Sequence, residues 1–138
     1  MWFVRFFYYL MKGEAIGVWI EQEQIDKWAF DYCYNVEDDP EVWSMIKGSK
    51  YAFIYCKYIE NRSEIRDLIT ESEFAAFYCE DVSNDEDMKE RITERPWKYY
   101  YYRFVEKDTK KAEEYAGKYP ELLIRRGVMG RIIGERNV

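Results

Sequence analysis

An α+β fold, built as a single mixed or antiparallel sheet of aromatic-rich strands packed with helices, is expected from this 138-residue chain on three grounds. Three runs, WFVRFFYYL (2–10), YAFIYCKYI (51–59) and WKYYYYRFV (97–105), gather aromatic and β-branched residues that suit a pleated surface. Between them the apolar residues recur every three or four positions, the spacing of amphipathic helices. The second half of the chain also echoes the first at an offset of 46 residues. A ferredoxin-like arrangement is the nearest simple model, with a winged or barrel-like sheet as the alternative.

Taken in order, Trp2 to Met11 reads as a first strand, and Lys12-Gly13-Glu14 supplies the turn for a return through Ala15 to Ile20. Ile25, Trp28, Ala29, Tyr32, Cys33 and Val36 then form the stripe of a helix. Asp39 followed by Pro40 and Glu41 has the chemistry of a helix start, and that short helix should end near Gly48. Tyr51 to Ile59 is the second strand, and residues 64–70 fit either strand or helix. Phe74, Ala75, Tyr78, Cys79 and Val82 return to helical spacing, with Thr70 and Glu73 placed for a capping box. The acidic run Ser83 to Asp87 introduces a helix through Met88 and Ile92 that must end before Pro96. Trp97 to Val105 is the third strand, and Thr109 to Gly117 is a helix. The three glycines after Pro120 leave residues 120–138 without an assignment.

The internal echo aligns Ala29, Tyr32, Cys33, Val36, Asp39, Ile46, Tyr55 and Glu60 with Ala75, Tyr78, Cys79, Val82, Asp85, Ile92, Tyr101 and Glu106, eight identities over 42 positions without a gap. The repeating unit is then a helix, an acidic turn, a short helix and an aromatic strand. The length fits one domain over residues 1–138 with one core.

Composition narrows the chemistry. Aromatics make up 20% and charged residues 35%, the profile of a folded chain, and the absence of histidine removes the commonest general base and zinc ligand. Few amides and a Lys/Glu/Arg-rich surface resemble proteins of hot environments, which suggests a thermophile or its virus as the source. Three cysteines and no signal peptide point to a reducing, cytoplasmic setting. The apolar start, broken by Arg5, falls short of the roughly 20 residues of a membrane span. The net charge of −6 divides into −11 over residues 1–94 and +5 over residues 95–138. Such asymmetry suits either a docking contact inside the fold or an acidic partner.

No phosphate loop, nucleophile elbow or metal-ligand spacing occurs, so no catalytic residue, metal or cofactor is assigned. The acidic runs 37–41 and 84–87 sit where helices begin and read as caps before metal ligands. Cys33, Cys56 and Cys79 lie among apolar residues and read as inert buried thiols. Strand alternation would place Tyr55 and Lys57 on one sheet face with Tyr99, Tyr101 and Arg103, with Lys98 on the other face beside Tyr100, Tyr102 and Phe104, and Arg125 and Arg126 nearby in the basic tail. Tyr55, Lys57, Lys98, Tyr99, Tyr101, Arg103, Arg125 and Arg126 are the expected binding set. The function expected is that of a small non-enzymatic interaction protein that meets a protein partner, or a second copy of itself, through an aromatic surface bordered by charge. A single-stranded nucleic-acid binder using that sheet face is the alternative, and a carboxylate- or metal-dependent hydrolase is a third reading.

Overall fold

A computed structural model describes residues 20–116 of the chain. Of these, 65% are helical and none lies in a strand, which replaces the expected α+β sheet with an all-helical architecture. In order come α1 (Gln22–Asn35), α2 (Pro40–Trp43), α3 (Ser49–Tyr58), α4 (Ser63–Arg66), α5 (Ser72–Asp81), α6 (Glu86–Glu90), α7 (Arg95–Tyr100), a π-helical turn (Tyr101–Val105) that continues α7, and α8 (Thr109–Glu113). The first expected strand, its hairpin partner and the tail bearing Arg125 and Arg126 lie outside the described residues.

Both expected strands that can be compared are helices, and the reason is visible in their burial. In α3 the buried residues are Ser49, Ala52, Phe53, Tyr55 and Cys56, the stripe of a helix in contact on one side. A short apolar run carries both periodicities, and the intrinsic cost of an aromatic in a helix, about 0.5 kcal/mol relative to alanine, is smaller than what burial returns. In WKYYYYRFV the aromatic composition misleads in the same way. Pro96 does follow the end of α6 at Glu90, as expected, but it also opens a helix: it occupies the first turn of α7, where proline's missing N–H and fixed φ are favourable.

The chain alternates long and short helices at a constant interval. The long helices α3, α5 and α7 begin at Ser49, Ser72 and Arg95, and the short ones at Pro40, Ser63, Glu86 and Thr109, each 23 residues after the last. The helix ends repeat in detail: Val36, Ile59 and Val82 close α1, α3 and α5 with φ of −115, −112 and −114° and donate to the carbonyls of Tyr32, Tyr55 and Tyr78. Ala29, Ala52 and Ala75, at the same spacing, are fully buried. The unit is therefore half the 46-residue length read from the sequence, and it contains no strand.

The chain divides into two compact units, one up to Thr70 and one from Glu71. In the first, α1 packs on α2 and α3, and α3 on α4, around Ala29, Cys33, Val42, Ile46, Ala52, Tyr55 and Ile69. In the second, α5 packs on α6, α7 and the π turn, around Ala75, Tyr78, Cys79, Met88, Ile92 and Tyr101.

A polar clamp recurs at one position of the repeat. Asp26, buried in α1, accepts from the amides of Lys47 and Gly48 at 2.9 Å each and from the Gln22 side chain at 2.8 Å. Ser49 accepts from the amide of Thr70 at 2.9 Å. Ser72 accepts from the amides of Thr93 and Glu94 at 2.9 and 3.1 Å. These amides precede a long helix and have no intrahelical partner, so the clamp satisfies donors that burial would otherwise orphan. It also explains Gly48. A Cβ there would lie 2.9 Å from Asp26 Oδ2, whereas the shorter serines leave room for Glu71 and Glu94 at the matching positions.

The acidic turns act as caps. Asp39, Asp85 and Asp108 accept from the amides of Glu41, Met88 and Lys111 at 2.9, 2.8 and 3.0 Å at the starts of α2, α6 and α8. The capping box expected between Thr70 and Glu73 is not formed; α5 begins behind Glu71, whose side chain makes no cap bond.

Candidate functional site

The expected binding set does not share a face. Tyr55 and Lys57 lie in the first unit and Lys98, Tyr99, Tyr101 and Arg103 in the second. Residues two apart diverge around a helix, so the alternation that grouped Tyr55 with Lys57 and Tyr101 with Arg103 is lost with the strands. Tyr55 is 0% exposed, Tyr101 2% and Tyr99 6%. They are core residues and offer no stacking surface.

The hydroxyls of the two repeat tyrosines are tied to their turns. Tyr55 donates to Asp38 Oδ1 at 2.6 Å and accepts from Arg62 Nε at 2.7 Å, while Arg62 Nη2 reaches Asp38 Oδ2 at 2.9 Å and Glu60 at 2.8 Å. The Arg62 guanidinium also lies 5.3 Å from the Trp43 ring. Burial and the Asp38 bond raise the Tyr55 pKa above that of a free phenol. Burial opposes ionisation of Asp38, but bonds from Tyr55 and Arg62 outweigh it and hold its pKa below the usual carboxylate value. In the second unit the Tyr101 hydroxyl is held by Glu106 and, at 2.8 Å, by Asn84, and Tyr100 donates to Glu80 at 2.5 Å.

The exposed aromatic surface of the first unit lies elsewhere. Phe30 stacks on Tyr34 with centroids 5.6 Å apart and also meets Tyr51 at 6.4 Å and Tyr58 at 6.5 Å. Tyr34 and Tyr58 keep 58% and 55% of their surface in solvent, far more than rings that serve only a core. Lys57 sits 5.0 Å from the Tyr58 ring and Lys50 5.5 Å from the Tyr51 ring. Of the expected set, Lys57 alone belongs to this face. The face is thus a ring cluster with cations on it, formed by α1 and α3 through side chains four to seven residues apart on each helix.

The second unit has a cleft of about 240 Å³, and Lys98 and Tyr101 of the expected set line it together with Lys89, Tyr102 and Tyr115. Tyr102 and Tyr115 stack almost parallel, at 9° and 5.5 Å. Lys98 lies 5.5 Å from the Tyr115 ring, Lys111 4.8 Å from the Tyr102 ring, and Lys89 5.7 Å from both Tyr101 and Tyr102. Nearby Tyr102 raises the Lys111 pKa by charge and by a hydrogen bond. Tyr102 stands 23 residues after Cys79, in the position that Cys33, Cys56 and Cys79 fill with buried thiols. Tyr102 lies within the π turn from Tyr101 to Val105 and lines the cleft instead. Arg103 is exposed and lies beside Phe104, at 5.7 Å.

Sequence reasoning passed over Phe30, Tyr34, Tyr58, Tyr102, Tyr115 and Lys89. A 23-residue alignment would have flagged Tyr102 as the place where cysteine gives way to a ring.

The thiols are buried, and burial pushes the Cys33 pKa up to about 12 and that of Cys56 up to about 11. Among the described residues no group of three or more His, Cys, Asp or Glu side chains could hold a metal ion, and no helix is long and apolar enough to cross a membrane. No protein-family model, curated protein or solved structure matches the chain.

Proposed function

We propose that the chain is a non-enzymatic interaction module that takes a protein partner on the aromatic face of its first unit. The observation that carries this reading is the exposure of Tyr34 and Tyr58, both above half, on a cluster held together by Phe30. Rings presented this way bring large contact area at small entropic cost, and tyrosine is enriched where proteins meet. Lys57 over Tyr58 and Lys50 over Tyr51, the latter paired with Glu23 at 3.2 Å, border the rings with charge. A second copy of the chain is one such protein partner. Three free, buried cysteines support an intracellular setting.

The test compares the wild type with Tyr34→Ser/Tyr58→Ser, by sedimentation velocity for self-association and by affinity capture from the source cells for other partners. Loss of the assembly or of a specific partner, with the helical spectrum and melting temperature retained, is expected. Retention of every contact by the double variant sinks the proposal. The cations beside the rings also favour a second reading, single-stranded nucleic acid stacked on this face. An oligonucleotide titration over a salt series separates the two, because saturable binding that weakens with salt and disappears in Tyr58→Ser would replace the protein-partner reading.

A further inference from the structure

We propose that the cleft of the second unit is a binding site for a carboxylate ligand carrying an apolar or aromatic body. The described part of this unit is acidic, with 13 Asp/Glu against 8 Lys/Arg. Even so, Lys98 forms no ion pair among the described residues and lies against the Tyr115 ring, while Lys111 lies against the Tyr102 ring, hydrogen-bonded to Tyr102 and within the field of Glu114. Lys98, on the cleft lining and against the Tyr115 ring of the stacked Tyr102–Tyr115 pair, leaves its charge available to an anion from outside, and Lys111 lies on the Tyr102 ring of the same pair.

The rest of the lining sets the kind of anion. Glu86 and Glu90 border the same cleft, with Lys89 3.9 Å from Glu86, so a dianionic phosphate or an extended polyanion meets about twice the repulsion that a single carboxylate does. Ile92 and the tyrosine rings offer a surface for an apolar body attached to that carboxylate. A volume of about 240 Å³ suits a group the size of one aromatic side chain. The chain terminus of another protein and a free organic acid share this chemistry. The site is separate from the aromatic face of the first unit and stands or falls without it.

The experiment follows the ring resonances of Tyr102 and Tyr115 by NMR in the full chain while phenylacetate is added, with phenylacetamide as the neutral analogue and inorganic phosphate as the dianion. Saturable shifts with phenylacetate, little or no response to phenylacetamide or phosphate, and affinity weakened about tenfold in Lys98→Met and in Lys111→Met but kept in Lys98→Arg are expected. A dipeptide ending in phenylalanine distinguishes the sources: tighter binding than phenylacetate assigns a chain terminus, and weaker binding a free acid. Equal responses to phenylacetate and phenylacetamide would overturn the site, as would phosphate binding more tightly than phenylacetate, or the absence of saturable shifts in wild type. If Lys98→Met does not fold, Lys111→Met carries the same comparison.

Discussion

The two units share one 23-residue plan beneath and differ on the surface. In the first, Asp26 clamps Lys47 and Gly48, and Tyr55 is anchored by Asp38 and Arg62. In the second, Ser72 clamps Thr93 and Glu94, and Tyr101 is anchored by Asn84 and Glu106. The buried geometry is preserved while its chemistry is exchanged in matched sets: a long carboxylate demands glycine opposite, a short hydroxyl permits glutamate. On the outside little is preserved beyond one cation against an exposed ring, Lys57 with Tyr58 and Arg103 with Phe104. One unit shows an open ring cluster around Phe30, the other a tyrosine pair with lysines against it. Positions that repeat build the fold, and positions that break the repeat are where binding is to be sought.

The strongest way to break the comparison is to remove a clamp. Asp26→Ala orphans two backbone amides, the exposed Gln22 side chain keeping its bond to the Met45 carbonyl, and a loss of about 3 kcal/mol is expected in chemical denaturation, against about 1 to 2 kcal/mol for Ser72→Ala with its two amides. Equal losses would mean that the carboxylate adds nothing over a hydroxyl. Next comes the matched exchange: Gly48→Ala alone forces a contact with Asp26 and should cost about 1 to 2 kcal/mol. Combined with Asp26→Ser it should recover most of that loss, and failure to recover would show that the two positions are not coupled.

The anchors also differ in their response to acid. Asp38 has a depressed folded pKa, so the unfolded chain takes up its proton first as pH falls. Its stabilisation is present above the ordinary value of 3.8 and is lost below it, as pH falls through the folded value. Wild type should exceed Asp38→Asn by about 1 kcal/mol at neutral pH, the partial exposure of the pair keeping the figure small, and the difference should shrink progressively as pH falls below 3.8. A difference constant with pH would remove the charge from the account. The smallest effect concerns the turn after Tyr101. Lys107 has φ of 58°, whereas the matching positions hold Asp38, Asn61 and Asn84. Lys107→Asn should stabilise by about 0.5 kcal/mol, since asparagine tolerates left-handed backbone better than lysine.

Helix starts were legible wherever the signal was local. Asp39-Pro40 and the acidic run holding Asp85 each cap a helix, α8 begins at the expected Thr109 with Asp108 as its cap, and the stripe from Ile25 to Val36 is α1. The aromatic runs were not legible, because nine residues rich in tyrosine and phenylalanine satisfy a strand by composition and a helix by spacing, and packing decides between them. The echo at 46 residues was read with the wrong unit for the same reason: a strand was assumed at Tyr51 and Trp97, so the long helices there were not compared with α1 and α5. For the site, Lys57, Lys98 and Tyr101 were placed near rings, but which tyrosine of YYYY is core and which lines a cleft depends on the π turn, a feature no residue type specifies.

The division between repeated core and divergent surface is tested most directly by thermal unfolding of two single-tyrosine variants from one helix. Tyr55→Phe removes a buried hydroxyl bonded to Asp38 and Arg62, whereas Tyr58→Ser removes a ring that is 55% exposed. Tyr55→Phe, though the milder change in size, should melt several degrees below wild type, and Tyr58→Ser close to it. A Tyr58→Ser melting point as low as or lower than that of Tyr55→Phe would contradict the account, since the exposed ring would then be part of the core.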